Sequence, residues 1–460
     1  MMRKWQSECV SKSYSKYESG KKHFLCQATP GSGKTIMAAN LSKQLLEAKK
    51  IDFVVCFSPS VSIATGFVET FSRILKCPFN GQLGSVGTSL TYQSLKYIAD
   101  EFWETLSKYR ILAIFDEIHH CSGENLVQAN TWGEQIILKV QQTATYTLAL
   151  TGTPWRSDKM PISLSSYSDP EGIIQCDYQY TLKQAISDNV CRKPKIVLVD
   201  NERLQVINNC ESQDYKSIQE LFNNQKVNYL SILQNTDALS HILKLACSKL
   251  KIIRENNPKA GGLIVASSVS HAQLIQKMLI DDFNQSCELV SYLDSDAQQK
   301  IHYFKNSKTK WIVSVAMVSE GTDIPRLQVC CHLSTIKTEL YFRQILGRIL
   351  RKTLEINQDA WLFTFAEESL IKFSESIESD IPESCLYLKQ EDNIESDAQL
   401  HNQTNQITSE QQSTYSSPKK SSLVWQNPEY IEKSESDNSN FITLQLGKFH
   451  ERVIEAFISI

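Results

Sequence analysis

The sequence predicts an α/β fold built on parallel sheets, and two observations carry this. Phe24-Leu25-Cys26 runs into Ala28-Thr29-Pro30-Gly31-Ser32-Gly33-Lys34-Thr35 and then into residues 36–50, where Met37, Leu41 and Leu45 share one helical face. That order is strand, glycine-rich turn, helix. Apolar, β-favouring runs then recur at 51–57, 110–116, 147–150, 261–266 and 311–317, separated by helix-like stretches. Runs without polar alternation are strands covered on both faces, as in a parallel sheet.

The bulk numbers set limits. A length of 460 residues suggests roughly two to four domains. The net charge of -3 excludes an overall basic footprint for nucleic acid, so any such surface is local. Residues 1–22 are locally basic, with Arg3, Lys4, Lys12, Lys16, Lys21 and Lys22 against Glu8 and Glu18. The 13 cysteines include no C-x-x-C pair and lack zinc spacing. Cys26, Cys56, Cys330 and Cys331 lie in apolar runs, where cysteine is a small buried hydrophobe, which fits a reducing compartment. The N-terminus has no signal-like apolar core, and no uncharged run is long enough to span a bilayer. The expectation is a cytoplasmic protein with no membrane contact.

In the glycine-rich turn, backbone N–H groups and the helix N-terminus face an anion, and the dipole favours negative charge. Gly31 and Gly33 let the chain curl round a phosphate. Lys34 can reach β/γ-phosphates, and the Thr35 hydroxyl can ligate Mg²⁺. The pattern G-x-x-x-x-G-K-[ST] is met except at its first position, which is Ala28. Upstream, Gln6 follows Trp5. Its amide can read an adenine edge, or it is an exposed polar residue. The run at 110–116 delivers Asp116 and Glu117 at its C-terminal end, where open α/β sheets bind ligands. Asp116 can hold Mg²⁺ through water, and Glu117 can orient or deprotonate an attacking water. His119-His120-Cys121 are consecutive and cannot easily face one metal ion.

Together these segments resemble a superfamily 2 helicase of the DExH kind, of the restriction-enzyme-like group. Residues 28–35 resemble motif I, where alanine at the first position is frequent. Asp116-Glu117-Ile118-His119 resembles motif II. Thr151-Gly152-Thr153-Pro154 resembles motif III, and Trp5-Gln6 the glutamine motif. Residues 57–60 and 91–93 resemble motifs Ia and Ib. The resemblance covers about residues 3–370. It implies two tandem RecA-like domains: 1–190, carrying ATP binding, and 191–375, the helicase C-terminal domain.

The second domain is expected to open with a crossing strand at 192–199, followed by helices through 213–256. Residues 261–268 resemble motif IV, and 318–325 motif V. Residues 341–351 resemble motif VI, with Gln344, Arg348 and Arg351. Arg348 and Arg351, three apart, would share one face of a helix. Across a cleft they can act as arginine fingers, worth roughly 10³–10⁵ in rate in related NTPases. The resemblance implies ATP and Mg²⁺ as cofactors, held by Gln6, Thr29, Pro30, Gly31, Ser32, Gly33, Lys34, Thr35, Gly321 and Asp323. The metal falls to Thr35 and Asp116. Catalysis falls to Lys34, Glu117, Gln344, Arg348 and Arg351, and coupling to His119, Thr151 and Thr153. Pro59, Thr91, Ser267 and Thr322 are implied as nucleic-acid contacts. The segment between Asp323 and Gln344 has room for one strand and a connection but not for the strand-separating hairpin that some DExH helicases carry, a compactness that suits translocases and restriction-type motors and weighs against simple unwinding.

Composition changes near Glu367. Acids dominate to residue 397, then Gln, Ser, Thr and Asn prevail. Residues 376–440 are expected to be a mostly disordered linker. In 441–460, Phe449, Val453, Ile454, Phe457 and Ile458 would share a helical face. That segment would pack on the motor or dock a protein partner such as a nuclease subunit. The expected function is an ATP-dependent helicase or translocase acting on nucleic acid, DNA preferred and RNA second. The alternatives are a motor subunit of a restriction, defence or repair complex, and an ATP-gated clamp that does not unwind.

Overall fold

The computed structural model describes residues 2–122, 132–133, 136–140, 143–156, 158, 160–168, 172–208, 211–224, 227–315, 323–353, 359–379 and 442–457. Gly321, Thr322 and almost all of the expected linker lie outside them. Among the described residues, two sheets form.

The first sheet contains β1 (His23–Ala28), β2 (Phe53–Ser58), β3 (Gly87–Thr91), β4 (Ile111–Asp116), β5 (Tyr146–Thr151) and β6 (Tyr178–Tyr180), in the order β3-β2-β4-β5-β1-β6. Every pairing in it is parallel. The apolar run of β4 shows why. Leu112 and Ile114 enter one core, while Ile111, Ala113 and Phe115 enter a second core on the opposite face. Successive side chains alternate between two buried faces, so no polar position interrupts the run.

Helix α1 (Lys4–Glu18) precedes β1, α2 (Lys34–Glu47) follows the glycine-rich turn, and α3 (Val61–Leu75) follows β2. The Ser60 side chain caps α3 by accepting from the Ile63 N–H.

The second sheet has the order β10-β11-β9-β12-β13-β7-β14, with β8 paired to β7. Its strands are β7 (Lys193–Asn208), β8 (Glu211–Tyr215), β9 (Gly261–Ala266), β10 (Cys287–Ser291), β11 (Trp311–Val315), β12 (Leu327–Leu333), β13 (Asp359–Phe365) and β14 (Ile442–Glu455). Strands β7, β9, β10, β11, β12 and β13 are parallel, and β8 and β14 are antiparallel to β7. The architecture is two tandem RecA-like domains. A single apolar core runs from Trp5 to Phe457 and takes in one face of the first sheet together with the second.

Two expectations are corrected. The stretch at 213–256 begins as strand, because Gln213 to Tyr215 belong to β8, and helices follow only from Ile218. The C-terminal segment is a strand and not a helix. It pairs with β7 from Ile442↔Asn208 to Glu455↔Lys195. Its β-branched Thr443, Val453 and Ile454 suit a pleated strand, and β7 offers a 16-residue edge. The linker thus returns the chain to the second sheet. Ile458 lies outside the described residues.

Candidate nucleotide site at the domain interface

The strand order sets up the site. β4, β5 and β1 are neighbours, so the loops at their C-terminal ends meet. These loops carry Asp116-Glu117, Thr151-Gly152-Thr153 and the glycine-rich turn.

Gly31 and Gly33 hold φ of 80° and 95°, as a loop curling its N–H groups inward requires. A Cβ on Gly33 would lie 2.7 Å from the Gln6 amide nitrogen. Gln6 is therefore neither exposed nor free. It is buried, accepts from the Arg3 N–H at 2.8 Å, and donates to the Gly33 carbonyl at 3.0 Å. Arg3 also donates to the Ser32 carbonyl. In this arrangement helix α1 braces the turn from behind. Trp5, buried beside Gln6, stacks on Tyr180 at 4.8 Å between centroids.

Lys34 sits at the centre. Its Nζ is 3.1 Å from Glu117 Oε1 and donates to the Ala28 carbonyl at 3.2 Å. Glu117 Oε2 accepts from the Gly152 N–H at 3.1 Å and lies 3.4 Å from His119 Nδ1. His119 Nδ1 is 3.0 Å from Thr151 Oγ1, which in turn bonds the Thr153 backbone. The residues assigned to coupling thus form one connected set.

Glu117 holds φ of 50°, a left-handed conformation that costs a non-glycine residue of order 1–3 kcal/mol and is characteristic of functional sites. Burial opposes its charge, but Lys34, His119 and the Gly152 N–H outweigh burial and hold the carboxyl below its ordinary range. Asp116 goes the other way. Burial, then the adjacent Glu117 charge, pushes it up. A divalent cation would reverse that balance. The Tyr92 hydroxyl donates to the Asp116 carbonyl at 2.8 Å and fixes the end of β4.

The donor set fits a nucleotide phosphate with its cation. The turn offers N–H groups, Lys34 and two residues without Cβ. The buried Ser32 hydroxyl has no partner among the described residues. Thr35 is the second residue of α2, and Asp116 is a buried carboxylate at the end of β4.

The second domain meets this loop directly. Helix α11 (Glu339–Ile349; labels α4–α10 fall to Asp100–Leu106, Leu182–Ser187, Ile218–Asn224, Tyr229–Gln234, Thr236–Asn256, Val269–Asp281 and Ala297–Asn306) is capped by Thr338. Gly347 on it packs so closely that a Cβ would lie 2.9 Å from Pro30 Cβ. Gln344 and Arg348, four apart, are half-buried on the adjoining face.

Arg351 departs from the expected helical pair. The helix ends at Ile349, and Arg351 instead forms an isolated bridge with Cys191. Its guanidinium pairs with Asp323, and its side chain lies against Gly31, where a Cβ would be 2.8 Å from Arg351 Cγ. Arg351 thus reaches the turn from beyond the end of α11.

Two residues that the sequence did not suggest fix this geometry. Arg192 is fully buried and donates to the carbonyls of Leu327, Ile349 and Pro325, so it clamps the end of α11. Burial lowers its pKa to about 10, which leaves it charged at neutral pH. Arg156 donates to the His119 carbonyl and pairs with Asp158, tying the loops after β4 and β5 together.

Of the expected strand contacts, Pro59 and Thr91 lie side by side at the ends of β2 and β3, and Gln93 donates to the Pro59 carbonyl at 3.3 Å. Ser267 is buried with its hydroxyl 2.8 Å from His271 Nδ1, and the hydroxyls at that loop's surface are those of Ser268 and Ser270.

Comparison with known proteins agrees with this architecture. Residues 1–156 match the family model "Type III restriction enzyme, res subunit", and 241–353 match "Helicase conserved C-terminal domain". The chain belongs to the superfamily 2 helicase-like family. It is 28% identical over 392 residues to an uncharacterized protein of Mycobacterium leprae, covering 82% of this chain and 64% of that protein. The chain therefore spans less than two thirds of that relative's length. Among solved structures, it resembles a fragment assigned to the HsdR subunit of a type I restriction enzyme from Vibrio vulnificus. The TM-score is 0.57 at 15% identity, over 83% of this chain and 67% of that one. It also resembles the ATP-dependent Type ISP restriction-modification enzyme LlaBIII bound to DNA, with TM-score 0.51 at 13% identity, over 79% of this chain and 27% of that one. Both likenesses are of fold. Among the described residues, no helix is long and apolar enough to cross a membrane.

Proposed function

We propose that the chain is an ATP-driven helicase or translocase acting on DNA. The carrying observation is the Lys34–Glu117 pair at 3.1 Å, set in a phosphate-cradling turn with Arg351 of the second domain laid against it. In this reading Lys34 leaves Glu117 for the β/γ-phosphates when ATP binds. Glu117, freed from the lysine, orients the attacking water. Thr35 and Asp116 hold Mg²⁺, which offsets phosphate charge. Gln344, Arg348 and Arg351 supply donors from the second domain as the cleft closes. Such chemistry is positioning and electrostatics, since phosphoryl transfer needs little covalent help. DNA is favoured over RNA by the likeness to restriction motors. Pro59 and Thr91, side by side at one sheet edge, support a phosphate-tracking surface, and phosphate contacts carry no sequence preference.

The test is steady-state ATP hydrolysis with no nucleic acid, single-stranded DNA, duplex DNA and RNA, beside Lys34→Ala. Stimulation by one DNA form that vanishes in the variant is expected. Equal rates in all conditions would overturn the motor reading.

A further inference from the structure

We infer that Trp155 and Arg343 form a positioning joint that ties turnover at Glu117 to the seating of helix α11. The inference rests on the motor reading above. Trp155 follows Thr151-Gly152-Thr153-Pro154 by one residue, and the Gly152 N–H is bonded to Glu117. Its ring is 4% exposed, and its Nε1 has no partner among the described residues. The ring is therefore held by its faces and not by its N–H. Across the domain boundary, Arg343 Cζ lies 5.3 Å from the ring centroid, within cation–π range. Arg343 is itself fixed. It donates to Glu339 from Nε at 3.0 Å and from Nη2 at 2.8 Å, and to the Ser376 carbonyl at 3.0 Å. Glu339 opens α11, so a displacement of the ring is transmitted to the helix that carries Gln344 and Arg348.

The joint also borders the turn. Trp155 and Arg343 line a cavity of about 40 Å³ together with Thr29, Pro30, Gly347 and Ile377. The Glu117 carboxylate bonds the Gly152 N–H, Trp155 lies three residues further along the same segment, and Arg343 joins its ring to α11, so the path runs from the catalytic carboxylate to the helix of the arginines. Trp155 and Arg343 touch neither phosphate nor water in this scheme and act through their neighbours.

A double-mutant cycle tests the joint. Trp155→Leu removes the ring, Trp155→Phe keeps a face, and Arg343→Lys keeps a cation beside the buried Glu339. Trp155→Leu is expected to lower kcat for ATP about tenfold with KM changed less than about twofold, a size open to a desolvated cation–π contact. Trp155→Phe should retain most of kcat, and the Leu/Lys double variant should be no slower than the slower single variant. Additive losses, a loss in KM alone, or Phe as damaging as Leu would overturn the joint. Amide exchange gives a readout without turnover. Trp155→Leu should speed exchange at residues 29–33 and along α11, and unchanged exchange there would also overturn it. A wild-type chain that hydrolyses no ATP under any condition would instead overturn the motor reading, leaving the exchange result to judge the joint.

Discussion

In the proposed function Lys34 passes from a protein partner to the phosphates, and its energetics turn on that exchange. The Glu117 carboxylate and the Ala28 carbonyl hold it at 3.1 and 3.2 Å. An incoming triphosphate must compete for it. Glu117→Gln weakens the protein's hold on Lys34 and removes the carboxylate proposed to orient the attacking water. Turnover should fall by about 100-fold or more while ATP binding tightens, because the lysine is released to the phosphates. Fluorescent-nucleotide titration beside single-turnover hydrolysis checks both, and equal weakening of binding and turnover would count against the exchange. At Gly33 the constraint is steric. An alanine there would sit at φ 95° with its Cβ 2.7 Å from the Gln6 amide. Gly33→Ala should cost about 1–2 kcal/mol of loop stability and break the Gln6–Gly33 bond. Thermal denaturation with a non-hydrolysable ATP analogue should then show no ligand-induced rise in Tm.

At the scale of elements, β14 is the feature with the largest consequence. It covers the outer edge of β7, with Phe449 stacked on His241 at 4.4 Å and His241 bonded to Glu451 at 2.7 Å. Ending the chain at residue 441 would expose a long row of unpaired N–H and C=O groups. That truncation should lower Tm and produce larger species in size-exclusion chromatography. A truncated chain with unchanged Tm and monomeric elution would mean that β14 contributes no stability. The reason this strand was not legible in the sequence is instructive. Phe449, Val453, Ile454 and Phe457 fall at spacings that mimic a helical face, and the partner that fixes them as strand lies more than 230 residues upstream in the chain. The buried strands of the first sheet were legible because both of their faces are apolar, a pattern that needs no knowledge of the partner. The turn at 28–35 and the Asp116-Glu117 pair were legible for a similar reason, since their chemistry is written in contiguous residues. Arg351 was not. Local spacing puts it on a helix, but a long-range bridge to Cys191 takes it off. The same holds for Arg192 and Arg343, whose partners are backbone carbonyls or a ring supplied by distant segments.

For the whole molecule, the contacts between the two domains bear on the order of events expected in nucleotide binding. Gly347 rests on Pro30, and Arg351 lies against Gly31 while held by Asp323. If these contacts gate the turn, the phosphates seat only after the second domain moves. The connection between the two sheets carries Asn189 at φ 58°, the Cys191–Arg351 bridge and the buried Arg192. Domain motions generally run on the μs–ms scale, and under this gating only the open population would bind. Stopped-flow mixing with a fluorescent ATP analogue should give an observed rate that rises and then saturates with concentration, the plateau being the opening rate. Asp323→Ala releases the carboxylate that holds Arg351 and should raise that plateau several-fold, about 1 kcal/mol of barrier. A rate that climbs linearly with no plateau in the wild type would mean that the turn is already accessible and that the contacts at Gly31 and Pro30 do not gate it.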